Sequence, residues 1–458
     1  MSAVLWLRRD LRRGDLPALG AAAAAGDGSV APLFVLDPRL LDSAGRVRRA
    51  WLGRSLTALV ESYDGALHVR IGDPAVEVPA FAQEVGATSV HVTRETTPFG
   101  VARDRRVGAA LTAAGVELVA TGTPYAVGPG LVTKPDGDPY RVFTPFMRAW
   151  RDHGWPLPAQ EPEGVEFVRV AAAQARSRDS ALSDLDTVGA DADLPEAGED
   201  AALRRWREWR ADGGLTAYAT DRNRPDRDGT SRMSPHLKIG SVHPRTLLAD
   251  VTQEEGKGAW IFVNELAWRE FYADVLWHHP RSAWRDLRPA LEGLAYDEPG
   301  EQVAAWREGR TGYPIVDAGM RQLLATGWMH NRVRMIVASF LTKDLHVWWP
   351  VGARHFMDHL VDGDLASNSH GWQWVSGTGT DAAPYFRVFN PVLQGVKFDP
   401  RGDYVRRWVP ELAHLAGKAA HEPWTVLDGY AQGYVERIVD HAEERKEALR
   451  RLGELRPR

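Results

Sequence analysis

The sequence predicts an α/β domain with a doubly wound parallel sheet, joined through a long linker to an all-helical domain. Three observations carry this. The first 125 residues alternate short apolar runs with amphipathic stretches, acidic and small residues crowd 161–200, and strand-like alternation nearly vanishes beyond residue 201. A chain of 458 residues is also too long for one ordinary domain. The expected division is an α/β domain over 1–130, a linker over 131–200 and a helical domain over 201–458.

Within the first domain, the apolar runs 4–7, 30–36, 66–71 and 89–92 read as buried strands. The stretches 16–25, 50–63, 75–85 and 101–114 read as the helices between them, and this βαβα rhythm makes the sheet parallel. No G-x-G-x-x-G follows the first strand and no Walker A motif occurs, so nothing supports an ordinary dinucleotide or NTP site there. In the next segment Asp179, Asp184, Asp186, Asp191, Asp193, Glu196, Glu199 and Asp200 face few bases, the composition of a solvated linker. Helical periodicity then runs to about residue 447, without internal repeats, and the Glu- and Arg-rich end reads as a solvated helix.

A net charge of −5 gives no global attraction to nucleic acid, so any such binding needs a local basic patch. With no cysteine, disulfides and thiolate metal sites are excluded. No apolar run approaches the roughly 20 residues of a membrane helix. The apolar start runs into Arg8-Arg9-Asp10-Leu11-Arg12-Arg13, the wrong charge order for a signal peptide, so a cytoplasmic protein is expected.

Eighteen tryptophans is an unusual number, and fourteen of them lie between Trp206 and Trp424. Leu, Ile, Val or Phe fill a core more easily, whereas indoles also stack on flat ligands and exchange electrons. Helical spacing places Glu265, Trp268, Arg269 and Tyr272 on one face, which suits either a site or a salt-bridged amphipathic helix. The same spacing groups Trp328, Asn331, Arg332 and Met335, with Arg334 beside them. His330 has no ligand-spaced partner, and no metal site is assigned. Asp362-Gly363-Asp364 with Asn368 reads as a polar loop, either a carboxylate site or a solvated turn. At i and i+2, Trp372 and Trp374 must diverge, one toward the interior and one toward a cavity. Tyr218 and Thr230-Ser231-Arg232-Met233-Ser234 offer hydroxyls and amides ahead of a helix, suited to phosphate oxygens and equally to a plain N-cap. Arg222, Arg224 and Arg227, with Lys397, Arg401, Arg406 and Arg407, could form the local basic patch.

Taken together, these segments resemble the photolyase/cryptochrome family. The motifs are Thr230–Ser234, the 265–272 helix, Thr311-Gly312-Tyr313-Pro314, 328–335, 362–374 and Thr378-Gly379-Thr380-Asp381-Ala382-Ala383-Pro384-Tyr385-Phe386-Arg387. The likeness runs from Trp6-Leu7-Arg8-Arg9-Asp10 to about Trp424, and its nearest subgroup is the class I cyclobutane pyrimidine dimer (CPD) photolyases.

The resemblance implies one noncovalent, U-shaped FAD per chain in the helical domain. Its contacts match Tyr218, Thr230, Ser231, Arg232, Met233 and Ser234, then Arg269, Trp328 and Asn331, and finally Asp362, Gly363, Asp364 and Asn368. Arg334 would pair with Asp362 beside the flavin, and Asn368 would lie near flavin N5. Light-excited reduced flavin would give an electron to the dimer and split it. Trp268 and Trp374 would flank the flipped dimer, Glu265, Asn331, Arg332 and Met335 would touch its bases, and Tyr272 belongs to the same DNA-contacting face. Arg222 and Gln394 would lie toward the strand. Trp372 and Trp349 match the first two electron-hopping tryptophans. Where the family has a third, this chain has Tyr296, whose oxidation requires proton loss, with Asp297 or water as acceptor if the ring is exposed.

Lys238 resembles the lysine of members carrying 8-hydroxy-deazaflavin, which favours that antenna over a folate, with Phe34, Leu36 and Asp10 lining its pocket. The implied partner is UV-damaged DNA, met by a monomer that associates with the nucleoid when bound, with no membrane contact. Two members of the same family and one unrelated class compete with this reading. A cryptochrome photoreceptor usually carries a signalling tail, and little follows Trp424. A (6-4) photolyase needs histidines where this chain has Asn331 and Met335. A plain electron-transfer flavoprotein leaves the Trp268 and Trp374 pair unexplained.

Overall fold

The computed structural model describes residues 2–189, 192–291, 293–380 and 387–455. It divides into two compact units. One takes the chain up to Tyr140, then Thr144–Leu215 and Ser231–Pro280; the other takes Arg141–Phe143, Thr216–Thr230 and the described residues from Arg281 onward.

The first unit holds six parallel strands: β1 Ala3–Leu7, β2 Ser29–Leu36, β3 His68–Ile71, β4 Ser89–Val92, β5 Glu117–Ala120 and β6 Glu166–Phe167. They run in the order β3-β2-β1-β4-β5, with β6 pairing to β2. Along β1, Ala3, Leu5 and Leu7 enter one core with Leu19, Phe34 and Leu56, while Val4 and Trp6 enter another with Leu33, Phe81 and Val107. Such burial of both faces is why a parallel strand reads as an unbroken apolar run. β5 escaped the sequence reading because its Leu118-Val119 pair is short and flanked by exposed Glu117 and Ala120. Three of the four expected helices start further upstream, at Arg46, Pro74 and Pro98. At Pro74 and Pro98 the proline occupies the first turn, where its missing N–H costs nothing, behind the caps Asp73 and Thr97.

The linker expectation is corrected in part. Residues 143–153 and 172–187 are helices, Phe143–His153 and Ala172–Thr187. The second buries Leu182 in the sheet core and anchors Arg178, whose guanidinium donates to the Gly65 and Leu67 carbonyls at 2.8 and 3.1 Å. Its acidic residues are the outward face of a packed helix, with Asp186 paired to Arg54 at 2.6 Å. Asp191 lies outside the described residues.

In the second unit, among the described residues, helices surround an aromatic core that includes Trp306, Tyr313, Trp349, Phe356, Trp372 and Tyr404. The Thr311–Pro314 motif is structural. Buried Asp317 accepts from the Thr311 N–H and hydroxyl, the Gly312 N–H and the Tyr434 hydroxyl, all within 3.0 Å. Gly312 has φ +76°, and a Cβ there would meet the Glu436 carbonyl oxygen at 2.3 Å.

Candidate functional site

In the first unit, the 22-residue helix Lys257–His278 buries most of its surface, but Glu265, Trp268, Arg269 and Tyr272 are only half-buried. The face expected from helical spacing is therefore its partly exposed stripe. The Trp268 and Tyr272 rings lie 5.3 Å apart. Arg269 donates to the Pro124 and Leu237 carbonyls at 3.0 and 3.1 Å and stacks over Tyr125 at 4.5 Å. That fixes its guanidinium along the stripe.

The hydroxyl-rich segment ends in a short helix, Ser234–Ile239, of six residues. Ser231 and Met233 are buried, Arg232 and Ser234 exposed, and Arg232 has φ +56°. That left-handed conformation turns the chain so that alternate residues face solvent. The helix closes at Gly240, φ +82°, where a Cβ would strike the Arg9 carbonyl oxygen at 1.9 Å. Arg12 donates to the Gly240 carbonyl at 3.0 Å, and Ile239 packs on the cluster holding Phe34 and Leu36. Lys238 thus sits on an element pinned beside Asp10, Phe34 and Leu36. Asp10 itself accepts from the Arg8 N–H at 2.7 Å and the Thr93 hydroxyl at 2.5 Å.

In the second unit, Asp364 caps the helix Leu365–Ser376 by accepting from the Ser367 N–H at 3.0 Å. Asn368 lies within that helix, donating to the Ala353 carbonyl at 2.9 Å; only 362–364 form the expected polar loop. Arg334 donates to both oxygens of Asp362, at 2.8 and 3.0 Å, and to the Met329 carbonyl at 2.8 Å. Asp362 is buried and Arg334 half-buried, so a charged pair stands ready beside Gly363. At the far end of the same helix Trp372 is buried and Trp374 half-buried, the divergence expected from their spacing.

The segment 328–335 needs correction. Its helix begins at Asn331, with His330 accepting from the Arg332 N–H at 3.1 Å, so Trp328 precedes the helix and does not share its face. Asn331 is exposed and Met335 half-buried. Arg332 donates to Asn223 at 2.6 Å and stacks over Phe398 at 4.6 Å; Arg222 lies over the Tyr218 ring at 5.7 Å. Gln394 is half-buried on the Pro391–Phe398 helix. Residues 381–386 of the last motif lie outside the described residues.

Residues 262–454 match the FAD-binding domain of DNA photolyase, and residues 3–163 match DNA photolyase. The deoxyribodipyrimidine photo-lyase of Streptomyces griseus is 42% identical, over 98% of this chain and 99% of that protein. The chain belongs to the DNA photolyase family. Solved structures agree across the whole photolyase fold. A class III photolyase from Agrobacterium tumefaciens superposes with a TM-score of 0.89 at 35% identity, covering 99% of this chain and 97% of that one. A Synechocystis cryptochrome gives 0.86 at 27%, covering 98% of both chains. An archaeal photolyase from Sulfolobus tokodaii, holding two FAD molecules, gives 0.84 at 28%, covering 99% and 100%.

Sequence reasoning passed over several residues that support these photolyase motifs. Glu270, facing away from the stripe, accepts from the N–H groups of Ala126, Val127 and Gly128, and burial raises its pKa. Gln373, between the two indoles, is fully buried; it accepts from Leu287 N–H at 2.8 Å and donates to the Ser282 carbonyl at 2.7 Å. Asp297, next to Tyr296, pairs with Arg451 at 2.8 and 3.1 Å. Tyr296 is half-buried, and burial pushes its phenol pKa above the usual range. No helix among the described residues is long and apolar enough to cross a membrane, and they hold no metal-ligating cluster.

Proposed function

We propose that the protein repairs cyclobutane pyrimidine dimers in DNA in a light-dependent reaction, as a deoxyribodipyrimidine photo-lyase. One observation carries this reading most directly. A single helix bears Asp364 and Asn368 near its start and, near its end, one buried and one half-buried indole. A polar end of carboxylate and amide suits the N–H and carbonyl edge of a flavin, and half-buried Arg334, paired with buried Asp362, supplies fixed charge there.

FAD, when bound and reduced, supplies under blue light the electron that splits the cyclobutane ring. The residues do the holding and the orienting. Asp362, Gly363, Asp364, Asn368, Arg334 and Trp328 are the proposed contacts for the ring system. Tyr218, Thr230, Ser231, Arg232, Met233 and Ser234 take the phosphates and sugar, and Arg269 keeps its role as a cofactor contact. A dimer must leave the duplex to be reached, a rule drawn in part from photolyases themselves. Trp268 and Trp374 offer flat apolar faces for it, and Glu265, Asn331 and Met335 meet its base edges. Arg332 meets the bases as well, while Tyr272, Arg222 and Gln394 contact the strand, so binding rests on a local basic patch within a chain of net charge −5.

Trp372, Trp349 and Tyr296 form the proposed path by which the bound flavin is reduced. A second chromophore, 8-hydroxy-deazaflavin rather than folate, is proposed beside Lys238, Phe34, Leu36 and Asp10. The protein acts as a cytoplasmic monomer, nucleoid-associated when bound to damaged DNA. A cryptochrome-type photoreceptor is the second reading, favoured by the Synechocystis cryptochrome's likeness in fold. Illuminating the flavin-reduced protein with CPD or (6-4) oligonucleotides separates the readings. Repair of CPDs alone is expected; restoration of (6-4) lesions alone, or of neither, overturns it.

A further inference from the structure

The two tryptophans proposed to carry electrons to the flavin differ in what their indole N–H groups meet. Trp372 is 3% exposed, and its indole nitrogen has no hydrogen-bond partner among the described residues. Trp349 is fully buried, yet its indole donates to Asp286 Oδ1 at 2.6 Å. The adjacent Trp348, half-buried, donates to the same oxygen at 3.4 Å, and the two rings sit 6.4 Å apart at 66°. One carboxylate therefore serves two indoles, and it is held in place. Next to it, the Leu287 N–H is bound by Gln373 and the Arg288 N–H by the Thr378 carbonyl at 2.9 Å. Asp286 is itself half-buried, which leaves it a route to water.

An indole that has lost an electron is a far stronger N–H acid than the neutral ring. A carboxylate at hydrogen-bonding distance both stabilises its positive charge and stands ready to take its proton. Among the described residues no such acceptor meets the Trp372 indole, so a positive charge there is unfavoured relative to Trp349. The neighbourhood of Gly352 brings the two residues' elements together. Gly352 lies one turn beyond Trp349 on the helix Trp349–His359, and a Cβ on it would strike the Trp372 ring at 2.2 Å.

We propose that Asp286 is the proton acceptor that traps the oxidising equivalent on Trp349, with half-buried Trp348 sharing the same carboxylate. The proposal rests on the electron path given above. Trp372 gives one electron to the light-excited oxidised flavin and takes one from Trp349. The Trp349 N–H bond then breaks, its proton forms an O–H bond on Asp286 Oδ1, and a neutral indolyl radical remains. A thiol in solution, losing its own proton to water, returns one electron by way of half-buried Tyr296, and the proton on Asp286 goes back to the Trp349 nitrogen. Without proton loss the electron could run back from the flavin; with it, return requires the proton to return as well. After burial, the Asp286 charge is the next cause of the raised Tyr296 pKa, which places the carboxylate within electrostatic reach of the third ring.

Flash photolysis of the FAD-loaded protein, with the flavin oxidised, tests this. Transient absorption distinguishes the indole radical cation from the deprotonated radical. Wild type should accumulate the deprotonated form. In Asp286→Asn the proton-loss step should slow roughly a hundredfold, the low end for general-base assistance. Asp286→Glu, which keeps a carboxylate, should restore it. A second readout needs no flavin: in ¹⁵N-indole spectra of the full chain, Asp286→Asn should shift two indole N–H resonances, those of Trp348 and Trp349. Flavin content and far-ultraviolet dichroism report whether each variant folds. If Trp372→Phe leaves photoreduction intact, the path itself fails and the Asp286 assignment falls with it. If Trp372→Phe blocks photoreduction while Asp286→Asn loses its proton at the wild-type rate, the Asp286 assignment alone is overturned.

Discussion

Replacing Arg334 with methionine should destabilise the second unit by about 3 kcal/mol and lower its flavin content. The side chain makes two charge-assisted contacts with Asp362, at 2.8 and 3.0 Å, and one with the Met329 carbonyl at 2.8 Å. Charge-assisted bonds contribute roughly 1.5–3 kcal/mol each, and a buried charge left alone costs roughly 3–5 kcal/mol. The Asp362 side chain is 3% exposed, so its charge cannot turn to water, but that of Arg334 is 24% exposed, which argues for the low end. Removing the charge from both partners tests the reasoning. Asp362→Asn in the Arg334→Met background should recover about 2 kcal/mol, because no uncompensated carboxylate remains. Wild type, each single variant (Arg334→Met and Asp362→Asn) and the double variant are compared by urea unfolding followed by indole fluorescence, with bound flavin measured by absorbance. A coupling below about 0.5 kcal/mol would refute the claim that the pair is a mutually dependent unit.

Glu265→Gln should lower repair per absorbed photon roughly tenfold, the effect of one charge-assisted hydrogen bond, with flavin content unchanged; an unaltered photon yield would leave Glu265 a structural residue. Affinity for dimer-containing DNA should fall as salt rises, and Arg332→Ala should reduce the slope of log affinity against log salt by about one; a salt-insensitive affinity would remove the basic patch. The first unit should lose stability in mild acid. Burial lowers the pKa of His236 and His243 to about 4 each, below the value of about 6.5 expected in an unfolded chain. The unfolded state therefore binds more protons, so this stability is complete above pH ~6.5 and is lost as pH falls toward 4, at up to about 3 kcal/mol per histidine. A melting temperature unchanged between pH 7 and 4.5 would contradict that burial.

Much of the candidate site's geometry was legible because it depends on local periodicity. The half-buried stripe of Glu265, Trp268, Arg269 and Tyr272 and the divergence of Trp372 from Trp374 both follow from helical geometry, and the helices there are regular. The error at Trp328 has the same root. Helical spacing does not carry back across the helix start at Asn331, and His330, the cap that fixes that start, is a weak N-cap type by residue. The Ala172–Thr187 helix was hidden for another reason. Its composition is that of a linker, and only Leu182 and Arg178 meet the rest of the unit as buried side chains. Carboxylates that act at long range were illegible in principle: Glu270 reaches more than 140 positions back along the chain, and Asp286 is joined to its indoles across more than 60.

Gly352 gives the proposed electron path a length standard. With no side chain of its own, it lets the rim of the Trp372 ring rest against helix backbone, and a single methyl would have to occupy space that the ring's carbon atoms fill. Tunnelling between aromatic rings decays exponentially with their separation, so a displacement of the Trp372 ring would bear directly on the rate of the hop. A rigid spacer made from the absence of an atom is also a fragile one. Alanine, the mildest substitution elsewhere in a helix, is here the one that would move the ring.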